Sequence, residues 1–142
     1  MSQTFLETRN LKKYFKTAKG FLHAVDDVNL TIDKGETLGL VGESGCGKST
    51  LGRVIIRLLE ATEGQVLFNG EDIITLDKKE LRGFRRRAQM VFQDPYSSLN
   101  PRLSVEQLIS EPLRIHKVYS SERETAAHVK KLMDTVGLAQ RL

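Results

Sequence analysis

Residues 42–50 read GESGCGKST, and the first eight of them match the pattern G-x-x-x-x-G-K-[ST]. A short apolar run at 37–41 comes directly before the glycines, as expected of a buried strand. After the glycines, residues 48–59 carry apolar side chains at helical spacing. This succession of strand, glycine-rich loop and helix predicts a phosphate-binding loop.

Each residue type in the loop suits the binding of a phosphate chain. Glycine adopts backbone conformations that are closed to other residues, so several N–H groups can point at one anion. The N-terminus of the following helix adds a partial positive charge. We expect Lys48 to contact the β- and γ-phosphates and the Ser49 hydroxyl to bind Mg²⁺. A glycine-rich turn without a ligand is the alternative.

The composition is that of a folded, globular chain. Of its 142 residues, 39% are hydrophobic and 28% are charged, and the net charge is +4. The single cysteine, Cys46, excludes a disulfide framework. There is no run of eighteen apolar residues, and the N-terminus lacks the features of a signal peptide. We therefore expect a cytoplasmic protein that meets a membrane only through a partner.

The rest of the first hundred residues mixes strands and helices. The predicted strands are residues 6–14 at a sheet edge, 24–32, the buried run 37–41, 66–68 and 89–92. Residues 33–36 predict a turn, and the pair at 69–70, Asn-Gly, is a strong signal for a hairpin. Helices are predicted at 48–59 and 76–87.

The last forty residues predict helices alone. Ser104 with Gln107, and Ser121 with Glu124, have the spacing of a capping box, so each pair marks a helix start. Gly137 is suited to end the second helix. The second helix has one apolar face, made of Val129, Leu132, Met133 and Val136.

Several stretches together resemble the ATPase subunits of ABC transporters. Residues 41–51, VGESGCGKSTL, are similar to their Walker A motif, and residues 92–95, FQDP, to their Q-loop. Residues 63–70 resemble the turn and hairpin that follow the Walker A helix, and 24–30 resemble the strand before the Gly-Glu turn at 35–36. The string QDPYSSLNPR at 93–102, with Glu-Pro-Leu at 111–113, narrows the resemblance to importers of oligopeptides, dipeptides or nickel.

The resemblance implies an α/β fold: a P-loop NTPase core of the ABC ATPase type, with an N-terminal antiparallel β region and the start of an α-helical subdomain. Residues 1–100 would form the N-terminal part of the nucleotide-binding domain, and 101–142 the incomplete helical subdomain. The Leu-Ser-Gly-Gly-Gln signature and an apolar strand ending in Asp-Glu do not occur. We therefore expect the chain to be the N-terminal part of a longer ATPase, unable to hydrolyse ATP by itself.

The resemblance also implies ATP and Mg²⁺ as cofactors and assigns site residues. The nucleotide would be bound by Phe15, Gly42, Glu43, Ser44, Gly45, Cys46, Gly47, Lys48, Ser49, Thr50 and Gln93. Lys48 and Gln93 would take part in catalysis, and Ser49 and Gln93 would contact the metal. Phe15 would stack on the adenine, with Tyr14 as the alternative; packing of either ring in the core also remains open.

The implied partners are the membrane-spanning permease subunits of an importer, met through residues 94–102, and a second ATPase subunit, either identical or related. Such a chain would lie at the cytoplasmic face of the cell membrane as a peripheral protein, without nucleic acid. An ABC-type ATPase without a membrane partner is one alternative. A phosphate-loop kinase or GTPase of another family is a second, although the guanine motif Asn-Lys-x-Asp is absent.

Two further groups of residues invite a functional reading. Four arginines, Arg82, Arg85, Arg86 and Arg87, could bind nucleic acid, but no aromatic residues interleave to stack on bases. We interpret them as a solvated helix end. The three histidines, at positions 23, 116 and 128, are far apart in sequence and have no other metal ligand at a suitable spacing.

Overall fold

The computed structural model describes residues 3–94 and 98–138. It divides into two compact units, Met1–Met90 and Val91–Leu142. The first unit contains strands β1 (Thr4–Thr17), β2 (Gly20–Asp33), β3 (Glu63–Phe68) and β4 (Glu71–Asp72), with helices α1 (Lys48–Ile55) and α2 (Lys78–Phe84). Helices α3 (Val105–Ile115) and α4 (Glu122–Thr135) lie in the second unit.

The four strands form an antiparallel sheet in the order β2-β1-β3-β4. The prediction that β1 is an edge strand is wrong, because β1 pairs with β2 on one side and with β3 on the other. Its polar residues suggested an edge, but Leu6, Thr8 and Leu11 are buried. A central strand can keep polar residues where one of its faces meets solvent.

The hairpin predicted at Asn69-Gly70 is confirmed. Both residues have positive φ, 51° and 82°, and they join β3 to β4. Positive φ at both central positions is the geometry that Asn-Gly supports in a two-residue hairpin turn. The turn predicted at 33–36 is also present, closed by a 3.1 Å bond from the Glu36 N–H to the Asp33 carbonyl.

Two predicted strands are absent. Residues 37–41 and 89–92 have no ladder partner among the described residues, and both segments are extensively exposed; Val41 is 92% and Val91 95% exposed. A buried strand is held by hydrogen bonds to neighbours on both sides, so an apolar run without such neighbours has no sheet to join.

The core of the first unit lies between the sheet and the two helices. Its fully buried side chains are Leu11, Val54, Val66, Ile73 and Phe84. The Phe68 ring contacts the rings of Phe5 and Phe84 edge to face, with centroids 4.7 Å and 5.2 Å apart. Helix α1 is shorter than predicted, because Arg57 takes a left-handed conformation with φ 54° and residues 56–59 leave the helix.

The two predicted helices of the second unit are confirmed. Ser104 and Gln107 form a complete capping box at α3, whereas Ser121 caps α4 through the Glu124 N–H and the Glu124 side chain bonds to the Ser120 N–H. Helix α4 is terminated by Gly137, two residues beyond its last residue, with φ 73°. The Gly137 and Leu138 N–H groups bond to carbonyls of the last turn, as in a Schellman motif.

The apolar face predicted for α4 is only half correct. Val129 and Met133 are buried, but Leu132 and Val136 are exposed. Within the described ranges 3–94 and 98–138, no helix is long and apolar enough to cross a membrane.

Candidate functional site

The glycine-rich loop connects the exposed run 37–41 to helix α1. Gly47 is the N-cap residue of α1, and it offers no side chain to bond the first N–H groups of the helix. The first turn also lacks an acidic residue. Helix N-termini normally satisfy these donors with a capping side chain, water or a ligand. The start of α1 is therefore suited to hold an anion.

Gly47 is required for the loop to pack against the sheet. Its φ of 96° lies in the left-handed region, and a Cβ added there would come within 2.1 Å of the Ala24 carbonyl oxygen. Only glycine satisfies both conditions. The contact fixes the distance between the loop and strand β2.

The Lys48 side chain lies inside the loop. Its ammonium donates to the Gly42 carbonyl at 2.8 Å and to the Glu43 carbonyl at 2.6 Å, and it lies 3.4 Å from the Cys46 sulfur. The charge is thus held by two carbonyl groups of the loop backbone. A compact point charge in this position suits a phosphate oxygen.

A cavity of about 330 Å³ joins the loop to the β1–β2 hairpin. The loop contributes residues 45–50, and the hairpin contributes Phe15, Leu22, His23 and Ala24. Seven of the predicted site residues therefore meet in one cavity: Phe15, Gly45, Cys46, Gly47, Lys48, Ser49 and Thr50. Gly42, Glu43 and Ser44 do not line it; Gly42 and Glu43 instead supply the carbonyl groups that hold Lys48.

The two candidate aromatic residues have different surroundings. The Tyr14 ring stacks on the His23 ring, with centroids 3.8 Å apart and an angle of 11° between the planes. The Phe15 ring is half-buried, lines the cavity and has the Lys13 ammonium 5.1 Å from its centroid. Phe15 lines the cavity and Tyr14 does not, so Phe15 is the better placed ring for a ligand there.

A hydrogen bond from the Tyr14 hydroxyl to the Asp26 carboxylate supports the hairpin next to the cavity. This bond raises the pKa of Tyr14 and lowers the pKa of Asp26. His23 lies 3.4 Å from the same carboxylate. The three side chains thus form one network, and one member of it, His23, lines the cavity.

Gln93 belongs to the second unit and is exposed there. Its neighbour Asp94 is also exposed. The adjoining part of the predicted permease surface, residues 95–97, lies outside the described residues.

The sequence analysis did not identify Leu22, His23 and Ala24 as site residues. A signal for Leu22 was present: β1 and β2 are joined by only two residues, Ala18 and Lys19, so Leu22 pairs directly with Phe15. The strands predicted at 6–14 and 24–32 leave out residues 15–23, so this pairing was not predicted from the sequence.

In the arginine stretch, Arg85 and Arg87 contact other residues of the first unit. Arg85 donates to the Arg57 carbonyl at 3.4 Å, and the Arg87 guanidinium lies 5.2 Å from the Phe68 ring centroid and 4.0 Å from Glu71. Among residues 3–94 and 98–138, no group of three or more His, Cys, Asp or Glu side chains is arranged to hold a metal ion.

The family model described as ABC transporter matches residues 25–142. The chain belongs to the ABC transporter family. The oligopeptide transport ATP-binding protein OppF of Bacillus subtilis is 55% identical over 139 residues, which are 97% of this chain and 46% of OppF. The oligopeptide transport ATP-binding protein AppF of the same organism is 49% identical, over 96% of this chain and 44% of AppF.

Solved structures of the ABC transporter family have the same fold. The dimeric structure of MJ0796, described as a bacterial ABC transporter cassette, superposes with a TM-score of 0.73 at 31% identity, over 86% of this chain and 53% of that one. A post-hydrolysis state of the same cassette, bound to ADP and Pi, gives 0.76 at 30% identity, over 91% and 56%. The predicted fold, a P-loop ABC ATPase core with an antiparallel β region, is confirmed. The chain spans about half the length of these relatives.

Proposed function

We propose that this chain is the N-terminal part of an ATPase subunit that couples ATP binding and hydrolysis to the import of peptides or similar solutes. The observation that carries the proposal is the cavity in which Phe15 and the Lys48 loop face the same space. An aromatic ring at one end and an uncapped helix N-terminus with a lysine at the other suit the two ends of a nucleotide. The names of OppF and AppF, both peptide-transport proteins, support the choice of solute.

The roles of the residues follow from this arrangement. Phe15 would stack on the adenine, and the loop residues 42–50 would hold the phosphates, with Lys48 on the β- and γ-phosphates. Ser49 offers a hydroxyl oxygen, a ligand type that Mg²⁺ accepts together with phosphate oxygens. Gln93 would contact the metal and orient the attacking water. When bound, Mg²⁺ would neutralise charge that develops on the phosphates.

Hydrolysis is proposed only for the complete subunit. We propose that residues 1–100 are the N-terminal part of its nucleotide-binding domain and residues 101–142 the start of its helical subdomain. The Walker B carboxylates and the signature sequence do not occur in these 142 residues. Phosphoryl transfer depends on positioning and charge, so the chain alone should bind nucleotide without turning it over.

The proposed partners are permease subunits and a second ATPase subunit. The dimeric state described for MJ0796 supports the second partner. We propose that the chain works as a peripheral protein at the cytoplasmic face of the membrane, held there by the permease. Co-purification of the full-length subunit with membrane proteins tests this; a subunit that always purifies alone would favour an ABC ATPase without a membrane partner.

Calorimetry on the full-length subunit tests the nucleotide site. Lys48→Ala should weaken Mg-ATP binding by at least about tenfold, because a charge-assisted contact contributes about 1.5–3 kcal/mol. Lys130→Ala is the matched control, since Lys130 is exposed on α4, in the second unit. Equal affinities in the Lys48 variant and the wild type would rule out the proposed phosphate site.

A further inference from the structure

The β1–β2 hairpin changes register four times between its base and its tip, once between Thr4 and Leu6 and three times nearer the tip. Strand β1 has one extra residue between the paired residues Thr8 and Leu11. Strand β2 has one extra residue between Val28 and Val25, and Ala24 is a second one, since its neighbours pair with consecutive residues of β1. Such bulges bend the strands, increase their twist and redirect the side chains beyond them.

Three polar side chains hold together the bulge between Thr8 and Leu11 on β1 and the bulge between Val25 and Val28 on β2. The Asn10 side-chain amide donates to the Asp27 carboxylate at 2.8 Å, and the Asn10 N–H donates to the Asn29 side-chain oxygen at 2.8 Å. The Asn29 amide in turn donates to the Asp27 carbonyl at 3.1 Å. We call Asn10, Asp27 and Asn29 the bulge lock.

The backbone of the bulge lock is in the left-handed region on both strands. Asn10 has φ 47° and Asp27 has φ 52°. Asparagine and aspartate adopt this conformation more readily than other residues with a side chain. All three members of the lock are exposed, so their contribution is to the path of the backbone and not to the core.

Strand β3 is shaped to accept the bulge. Gly64 has φ 91°, and a Cβ added there would lie 2.4 Å from the Asn10 carbonyl oxygen. The path of β1 at Asn10 is therefore fixed from both sides, by the lock on β2 and by Gly64 on β3.

Beyond the bulge lock, the hairpin reaches the phosphate loop. The bulged residue Ala24 directs its carbonyl to Gly47, where no side chain could fit between them. Phe15 and Leu22, which pair with one another beyond this bulge, line the cavity. Asn10 and Phe15 lie on the same strand pair, and the bulges between them set the direction of the Phe15 side chain.

We propose that the bulge lock positions the Phe15 ring over the phosphate loop, which makes Asn10 a positioning residue for the nucleotide base. The inference rests on the proposed function, because it assigns the base to Phe15. The lock is outside the cavity lining, so it acts only through the hairpin.

The test compares two ligands, Mg-ATP and inorganic Mg-tripolyphosphate, by calorimetry on the full-length subunit. Phe15→Ala should weaken ATP at least about fivefold, the lower end for the loss of one base stack, and leave tripolyphosphate unchanged. Asn10→Ala should also weaken ATP selectively, by about twofold or more. In the double variant, which combines Asn10→Ala with Phe15→Ala, the ATP affinity should equal that of Phe15→Ala alone. Both changes remove the same stacking interaction with the base, so the second adds no further loss.

Asn69→Ala is the matched control: Asn69 is another exposed, left-handed asparagine of the same sheet, at the distant β3–β4 turn. It should leave the ratio of the two affinities unchanged. Asn10→Gly keeps the left-handed backbone accessible and removes only the side-chain bond, so it replaces the alanine variant if that variant does not fold.

Equal loss of both ligands in the Asn10 variants, or no loss of either, would overturn the positioning role while leaving the nucleotide site intact. A wild-type subunit that binds neither ligand would overturn the proposed function itself, and the positioning role with it.

Discussion

At the residue scale, Gly47 carries two constraints that can be separated by mutation. Gly47→Ala would introduce both left-handed strain and a clash with the Ala24 carbonyl. Gly70→Ala introduces only the strain, since φ is 82° and nothing lies within 4 Å of the added Cβ. We expect Gly70→Ala to lower the free energy of unfolding by about 1–2 kcal/mol, and Gly47→Ala by more than about 3 kcal/mol.

Urea denaturation of both variants measures the difference. If the two glycine variants lose the same stability, the loop does not pack against Ala24 in solution. In that case the cavity between the hairpin and the loop would not exist in solution either.

The Tyr14–Asp26 hydrogen bond predicts a pH dependence of stability. The bond lowers the pKa of Asp26 below its ordinary 3.8. The bond therefore adds to the free energy of unfolding above that pH, and this stabilisation is lost as the pH falls through the lowered pKa. It raises the pKa of Tyr14 above its ordinary 10.0, so the contribution is lost again as the pH rises through the raised pKa.

Tyr14→Phe should therefore reduce the free energy of unfolding between about pH 5 and pH 9, and the difference from the wild type should shrink in strong acid. Asp26 is exposed and Tyr14 is only half-buried, so the effect should be small. Urea titrations at a series of pH values provide the measurement, with Tyr119→Phe as the control. A difference that stays constant down to the acid limit would contradict the hydrogen bond.

At the element scale, helix α2 begins with a capping box that the sequence analysis did not use. The Asp77 carboxylate accepts from the Lys79 and Glu80 N–H groups, and the Glu80 side chain accepts from the Asp77 N–H. The helix is short, at seven residues, and its last residue, Phe84, is fully buried in the core. The capping box fixes where α2 begins, and the start of this short helix sets the position of Phe84 in the core.

Asp77→Ala should lower the free energy of unfolding by about 1 kcal/mol, within the range measured for lost N-caps. Asp77→Asn is the matched control and should stay within a few tenths of the wild type, because asparagine caps about as well as aspartate. Thermal or urea unfolding measures both. A loss in Asp77→Asn as large as that in Asp77→Ala would show that the charge, and not the cap, matters.

At the scale of the whole molecule, the run 37–41 is exposed and is not part of the sheet. Leu38, Leu40 and Val41 are all exposed, although the run has the composition of a buried strand. The chain covers 46% of OppF. We propose that in a full-length subunit this run is a buried strand of a larger sheet.

Val41→Ser tests this proposal in two proteins. In the 142-residue chain the substitution should leave the free energy of unfolding within about 0.5 kcal/mol, whereas in the full-length subunit it should cost at least about 1.5 kcal/mol. Val136→Ser, at another exposed valine, should be neutral in the 142-residue chain. A neutral Val41→Ser in the full-length subunit would mean that the run stays at the surface.

Features that depend on residues close together in the sequence could be predicted, whereas features that depend on distant residues could not. The glycine-rich loop, the Asn69-Gly70 turn and the helix starts at Ser104 and Ser121 were all predicted correctly. Each of them depends on a backbone conformation or a hydrogen bond within a few residues. The edge position of β1 was predicted wrongly, and in this 142-residue chain the segments 37–41 and 89–92 form no strand. Pairing depends on partners that are far away in sequence.

The amino-acid sequence by itself determined the glycine-rich loop, the helix caps and the family of the chain. The tertiary structure decided that Phe15, and not Tyr14, lines the cavity, that Leu22 and Ala24 join it there, and that Ala24 meets Gly47. The physical reason is that these contacts depend on bulges in a strand pair. A one-residue shift in register exchanges the faces of every side chain beyond it, and only the assembled sheet fixes where that shift occurs.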